Sequence, residues 1–431
     1  MSYLGELLPQ RKDYEGARKV WRGDLLAGVT VGMVALPLAL AFGITTGAGA
    51  QAGLITAIFA GFVAAVFGGS NYQVSGPTGA MTVVLVPIVA KYGVAALAPL
   101  GVVAGSIVIL MGATHCGGLI KRVPWSVMEG FTLGIALVIA LQQLPSVLAS
   151  HSVSGRNSLN TAWRTLKFAI SHGIHWSSIA IVILTLFIKF SYPTISHKLR
   201  IRIHIPASFV AIITTSLIVY IFGIHVPLIG HLPRSIYQSV SLSASHIKTS
   251  ALATGGIQIA LLAAIESLLS ARVADQLVHI HESAMSYKPN RELVGQGLAT
   301  VVASLVGGMP ATGAIARTSV NIRSKAQSRI ASITHALFLL IVVLVLGPVI
   351  SHIPTATLGA VLIGTSYRIA RPSNLRELLK TTYLDAATLL ITALLVLLIG
   401  LIWAIALSSV GYFVANLLLK YRRGKVISSG R

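Results

Sequence analysis

The chain is poor in charge and poorer still in acid. Only 10% of its 431 residues are charged, and eleven are carboxylates against 33 lysines and arginines. A soluble domain carries about a quarter charged residues, so the composition excludes an ordinary globular fold. A single cysteine, Cys116, excludes an intramolecular disulfide and argues against a cysteine-based metal site. The histidines lie mostly in loops (His151, His172, His175, His225, His231, His246, His281) without helical metal-ligand spacing. There is no phosphate-binding loop and no nucleophile–base pair, so neither an enzyme nor a nucleotide-driven pump is expected, and no cofactor is called for. No cleavable leader is expected ahead of the first apolar run. About 23 polar and basic residues precede it, so that run reads as a retained anchor.

What the chain has is apolar length. Hydrophobic residues make up 55% of it, and runs such as Leu25–Thr45, Ile179–Ile188, Leu337–Ile350 and Ala386–Ile405 mark a polytopic membrane protein. About fourteen segments are expected, near 25–46, 50–67, 77–91, 95–116, 125–144, 174–191, 205–224, 251–271, 292–307, 313–322, 328–350, 355–367, 382–401 and 402–420. Several are too short to span alone, so the number rests on pairing them through an internal repeat.

The net charge of +22 could suggest nucleic acid, but its placement does not. One side collects Arg11, Lys12, Arg18, Lys19, Arg22, Lys121, Arg122, Lys198, Arg200, Arg202, Arg272, Lys288 and Arg291. The same side takes Arg323, Lys325, Arg329, Arg368, Arg371, Arg376, Lys380, Lys420, Arg422, Arg423 and Lys425. The other side holds only Lys91, Arg156, Arg164, Lys167, Arg234 and Lys248. That asymmetry predicts an even number of spans in the cell's inner membrane with both termini cytoplasmic. The partner it implies is the lipid bilayer, not nucleic acid.

A glycine-flanked motif occurs twice. The first copy is Gly68–Ala80, GGSNYQVSGPTGA; the second is Gly307–Ala314, GGMPATGA. Both close on Thr-Gly-Ala and both follow a matching apolar run, Phe62–Phe67 and Val301–Val306. Paired interrupted segments in two halves of a membrane protein point to a transport site. A helix that starts in mid-bilayer offers unpaired N–H groups and a positive dipole end, which attract an anion. Two ordinary interhelical loops are the plainer alternative, and the repeat weighs against it.

The copies lie roughly 234 residues apart, which divides the chain into two homologous halves. The expected organisation is a tail 1–24, a first repeat 25–224, an external connection 225–250, a second repeat 251–420 and a tail 421–431. The Ser/His/Asn-rich stretch 145–173 reads as another external connection. Seven segments per half is odd, so the second half enters from the opposite face. The fold expected is an all-α polytopic membrane protein, a 7+7 inverted repeat whose two broken helices meet head to head near the midplane. With about ten residues after the last apolar segment, no soluble C-terminal domain is expected.

At these residues the chain resembles the SulP family of inorganic anion transporters, bacterial relatives of the animal SLC26 exchangers. The resemblance is carried by Gly23–Gly32, Ala35–Gly43, Val74–Thr82, Glu266–Ser270, Ala274-Asp275, Asn290–Gly297 and Arg317–Ile322. Ala35–Gly43 and Gly47–Gln51 look most like the cyanobacterial bicarbonate branch. The resemblance implies a core of segments 1–4 and 8–11, a gate of 5–7 and 12–14, elevator-like movement of one against the other, and a homodimer. It also implies a cytoplasmic STAS domain in most members, which this sequence lacks.

The anion is then expected between the N-termini of segments 3 and 10, on backbone N–H groups of Gly79, Ala80 and Met81 and of Ile315, Ala316 and Arg317, with Gly313 and Ala314 leading in. Thr78 and Thr82 could add hydroxyl donors or simply cap their helix. On the family pattern Leu38 and Phe42 line the same pocket. Several relatives carry glutamine at the Leu38 position, so the site here would be drier. Pro37 is expected to kink segment 1 near it. Arg317 is a cation inside an uncharged segment, which by default suggests function. By resemblance it lies beside the anion; pairing with Glu266 or snorkelling are its structural alternatives.

Glu266 sits deep in the apolar run Ile257–Leu269, whereas the other ten carboxylates read as lying in tails, loops or segment ends. An acid so placed could bind and release a proton during transport. In sodium-coupled relatives the corresponding acid helps hold Na⁺ with a hydroxyl one turn later, here Ser270, and segment-10 oxygens, here the Gly313 region. Ile315 stands where the sodium-dependent branch often has threonine, which favours H⁺ over Na⁺ as coupling ion. Asp275 and Glu292 read as caps or pairs at the cytoplasmic surface.

The function expected is secondary active transport of sulfate or bicarbonate. A nucleobase or organic-anion symporter on the same fold would carry a second acid on segment 10, and Gly313–Asn321 has none. A passive anion channel would not need Glu266. A non-transporting scaffold would not need both broken-helix motifs.

Overall fold

Apolar runs interrupted by glycine, proline and threonine fold into a bundle of helices in the computed structural model. It describes residues 3–118, 123–153, 155, 157–199, 205–230, 240, 242, 247–279, 287–370 and 382–429. Of the basic residues weighed above, Lys121, Arg122, Arg156, Arg200, Arg202, Arg234, Arg371, Arg376 and Lys380 lie outside these, as do His231, His246, His281 and most of the 225–250 connection.

The first half comprises α1 (Ala17–Thr45), α2 (Ala50–Phe67), a two-residue strand β1 (Ser75–Gly76), α3 (Gly79–Tyr92), α4 (Leu97–Ala113), α5 (Trp125–Gln142), α6 (Ser158–His172), α7 (Trp176–Lys198) and α8 (Ala207–Ile221). The second comprises α9 (Thr249–His279), α10 (Pro289–Leu305), β2 (Thr312–Gly313), α11 (Ile315–Arg323), α12 (Arg329–Ile350), α13 (Thr355–Ala370), α14 (Tyr383–Ile399) and α15 (Leu401–Ser429). Among the described residues, eight helical stretches are long and apolar enough to cross a membrane. The short α3 and α11 follow the two glycine motifs, where the preceding helices α2 and α10 have ended.

Packing sorts the helices into two groups. α1–α4 pack with α9–α12, and α5, α7 and α8 pack with α13–α15; α1, α3 and α9 carry the main contacts between groups. Within the first group α4 and α10 approach backbone to backbone. A Cβ on Gly105 would lie 2.7 Å from the Gly297 carbonyl, and one on Gly297 would lie 2.6 Å from the Gly105 carbonyl. Small residues on facing helices are what allow such contact in a membrane, where lipid offers no hydrophobic drive between helices.

α1 begins eight residues ahead of its apolar run, so Asp24 lies inside the helix and not before it. The side chain is fully buried and serves a distant helix start: it accepts from Gln327 N at 2.7 Å and from the Ser328 hydroxyl, and Ser328 caps α12. The end of α2 is sealed in the same way. Arg329 donates to the carbonyls of Ala65 (3.1 Å) and Gly68 (2.7 Å), and Arg291 donates to that of Phe67 (3.2 Å). Cations suit the orphan carbonyls of a helix C-terminus. Two of the arginines read as topology charges are thus buried caps.

Asp13, in a single helical turn ahead of α1, pairs with Arg291 at 2.7 Å, and both side chains are nearly inaccessible. Burial pushes the Asp13 carboxyl up, but the Gln10 N–H and the Arg291 guanidinium outweigh it and hold the group below its usual range. A carboxyl depressed by folding contributes stability that is present above its unfolded pKa and lost as pH falls through the folded one. Asp13→Asn should therefore lower the thermal midpoint at neutral pH, with a loss of stability of about 3–5 kcal/mol for an abandoned buried partner. The deficit relative to wild type should start to shrink as pH falls below about 4, the ordinary carboxyl value, and close only below the depressed folded value, where both carry a neutral side chain. A deficit that does not change between pH 7 and 3 would contradict the assignment.

Candidate functional site

The two glycine motifs meet. β1 and β2 pair antiparallel with Ser75 opposite Gly313 and Gly76 opposite Thr312. Each strand delivers the chain into a helix that starts inside the protein, α3 after Thr78 and α11 after Ala314. Gly76 has φ +148°, and a Cβ there would lie 2.6 Å from Arg317 Nη1 and 3.2 Å from the Ala57 backbone. Only glycine suits that close approach.

The helix starts differ in one respect. Thr78 caps α3, its hydroxyl accepting from Met81 N at 3.3 Å. Ala314 has no side-chain oxygen and cannot cap α11. The amides of Gly79 and Ala80, and of Ile315, Ala316 and Arg317, find no acceptor among the described residues. Their positive dipole ends are a ready anion site. The side chains of Ile315 and Ala316 are half-buried, whereas those of Ala80 and Met81 are closed in.

Arg317 adds the charge. It is buried and reaches across the crossing to donate Nη2–H to the Pro77 carbonyl at 2.7 Å, while Nη1 has no hydrogen-bond partner among the described residues. No direct ion pair joins it to Glu266, although its charge is near enough to act on both Glu266 and His335.

Glu266, on α9, is the focus of the other polar cluster. Its Oε2 accepts from the Thr78 hydroxyl at 2.8 Å and from the Thr312 hydroxyl at 2.7 Å. The two hydroxyl oxygens are 3.0 Å apart and 234 positions apart in sequence, the spacing of the repeat itself. One carboxylate from α9 thus bridges the corresponding threonine of each motif.

Other polar groups hold the crossing in place. Glu292, buried on α10, accepts from Gly69 N (2.7 Å), Ser70 N (2.9 Å) and Gln73 Nε2 (2.8 Å), fixing the first motif's loop. Ser267 Oγ accepts from Gly313 N at 3.0 Å. Thr318 Oγ1 accepts from Val74 N at 3.1 Å and lies 3.1 Å from Ser270 Oγ. Glu292 belongs inside the motif, not at a surface, because the loop's free amides need an acceptor.

The residues singled out from sequence divide accordingly. Gly79, Ala80, Met81, Ile315, Ala316 and Arg317 share the crossing. Leu38 and Phe42 of α1 are buried, and Phe42 lies against Gly79: a Cβ on Gly79 would sit 3.3 Å from the Phe42 ring and 2.0 Å from Ile139 of α5. The Thr78 hydroxyl is committed to Glu266 and that of Thr82 to the Thr78 carbonyl at 2.9 Å. Ser270 hydrogen-bonds Thr318 and Gly313 hydrogen-bonds Ser267, so neither makes a direct bond to Glu266.

Three buried polar residues escaped the sequence reading. Thr312 was visible only as the repeat partner of Thr78. His335 of α12 is fully buried, and neither ring nitrogen has a hydrogen-bond partner among the described residues. Lys189 of α7 is buried, donating Nζ–H to the Val361 carbonyl (2.6 Å) and to Thr365 Oγ1 (3.0 Å) of α13. Both stand beside apolar runs that were read as uniformly apolar.

With this geometry in hand, the comparisons agree. The chain is 34% identical over 400 residues to YvdB of Bacillus subtilis (strain 168), whose name gives sulfate transport only provisionally; the match covers 90% of this chain and 72% of that one. It is 31% identical over 410 residues to the bicarbonate transporter BicA of Picosynechococcus sp., covering 92% and 70%. The solved transmembrane domain of a cyanobacterial BicA superposes with TM-score 0.77 at 28% identity, covering 89% of this chain and 97% of that one. The structure of SLC26A9 superposes with TM-score 0.81 at 18% identity, covering 94% and 66%, a likeness of fold. The helices are therefore the 7+7 inverted repeat of these proteins, with core and gate groups. The sulfate permease family model matches residues 21–392, and with the crossed half-helices inside that span, the chain belongs to this family of anion transporters and not to an enzyme family.

Proposed function

We propose that the chain is a secondary active transporter of a small inorganic anion, sulfate or bicarbonate, driven by an ion bound at Glu266. The observation that carries this is the pairing of two sites through one crossing: orphan helix amides with Arg317 on one hand, Glu266 with both motif threonines on the other. The anion takes the amides of Gly79–Ala80 and Ile315–Arg317, where developing contacts cost little because the dipoles are already fixed. The coupling ion takes the three oxygens of Glu266, Thr78 and Thr312.

Proton counting supports a titratable site. Two hydroxyl protons satisfy an ionised Oε2, and a third proton turns the acid into a donor that either hydroxyl can accept. Sodium would use the same oxygens as ligands, but the Ile315 side chain adds none, so the proton is the favoured coupling ion. The contact of Gly79 with Ile139 sits between the two helix groups, where elevator-like movement of core against gate would carry the site. The basic side carries both termini, which supports a cytoplasmic orientation for them in the inner membrane.

The test is uptake of labelled sulfate and labelled bicarbonate into proteoliposomes under an imposed proton or sodium gradient. Concentrative uptake of one anion under a proton gradient is expected. Uptake driven by sodium alone would overturn the choice of ion, and equal flux without any gradient would favour a passive channel.

A further inference from the structure

The stretch between α5 and α7, read from sequence as a loop, contains α6. Its buried side chains are Ala162, Thr165 and Ala169, which face α5 and the rest of the protein. A second stripe, Leu159, Trp163, Leu166 and Ile170, recurs at i, i+4, i+7 and i+11 and so shares one face, turned about 90° from the first. Leu159 is 41% exposed, Trp163 66% and Ile170 61%. The third side carries Asn160, Lys167 and Ser171, all exposed. A helix in water has no use for the second stripe, and a helix crossing the bilayer has no place for the third.

The height of α6 is set by its neighbour. Only Gly173–His175 separate it from α7, so its end lies within about 14 Å of the first residue of that apolar, membrane-length helix. That first residue is Trp176, 73% exposed, at the end of α7 opposite Lys198. Two exposed tryptophans at the same end of the gate mark a membrane–water boundary.

We propose that α6 lies in the lipid–water interface, with Leu159, Trp163, Leu166 and Ile170 in the acyl boundary and Lys167 at the level of the phosphates. The occupant of the exposed apolar face is the phospholipid layer. Its charge complement is the lysine beside that face, whose stem can lie along the hydrocarbon while the ammonium reaches a phosphate.

The full chain reconstituted in phosphatidylcholine vesicles, with acyl chains brominated near the head group or near the terminus, tests this through the fluorescence difference between wild type and Trp163→Phe. The Trp163 contribution should be quenched several-fold more by shallow bromines than by deep ones, and little by aqueous iodide. Quenching by iodide with none from bromine would put the face in water and overturn the proposal. Shielding from both quenchers would equally overturn it, in favour of a second copy of the chain as the cover. None of these outcomes depends on transport, so failure here and failure of the transport reading are separable.

Discussion

Arg317→Met should raise the KM for anion uptake roughly ten- to a hundred-fold, the loss of one charge-assisted contact worth about 1.5–3 kcal/mol. Methionine keeps the unbranched stem of the side chain but removes the guanidinium, and with it the charge and the hydrogen bond to the Pro77 carbonyl. Arg317→Lys restores charge without the fork, and should recover part of the affinity. Initial rates over a range of anion concentration, with protein folding checked by thermal midpoint, decide the matter. An unchanged KM in a folded Arg317→Met protein would mean the guanidinium only braces the crossing. A KM restored by lysine would be hard to explain by packing alone.

Glu266→Gln should abolish accumulation against a gradient while leaving exchange of internal for external anion within a few-fold of wild type. The amide keeps an oxygen for one threonine but cannot take up and release a proton, so the two motif threonines no longer report on the ion. Exchange needs only the anion site, whose orphan amides and Arg317 are untouched. Measuring both modes in one vesicle preparation separates the roles. Loss of both would make Glu266 a structural keystone of the crossing; retention of accumulation would move coupling elsewhere.

Much of the fold was legible because membrane helices advertise themselves by apolar length and because the repeat supplied the segments too short to stand alone. α3 and α11, at 14 and 9 residues, are below any spanning length and were found only through Thr-Gly-Ala. The unpaired amides at the starts of α3 and α11 were legible for the same reason: backbone groups need no particular side chain, only a helix that begins in the right place. Side-chain partners were harder. That Glu266 would bond both motif threonines follows from how α9 packs against the crossing, which no local pattern encodes. Thr312 carried one usable signal, its 234-residue spacing from Thr78, had the repeat been used to transfer roles as well as segments. Lys189 carried another, as a cation next to the run Ile179–Ile188; its partner carbonyl at Val361 depends on tertiary packing. The face of α6 is encoded in its i, i+4, i+7, i+11 spacing, but the serine, asparagine and histidine around it give the stretch the composition of a connection.

If the anion lies where the two half-helices meet, a structure with bound anion will show it there. Crystals grown with selenate, a sulfate analogue with an anomalous signal, would locate it, with bicarbonate density sought in parallel if uptake selects that anion. A single site is expected within about 3 Å of the amides of Gly79–Ala80 and Ile315–Arg317, beside Arg317 Nη1. An anion bound elsewhere in the protein, with those amides uncontacted, would contradict it.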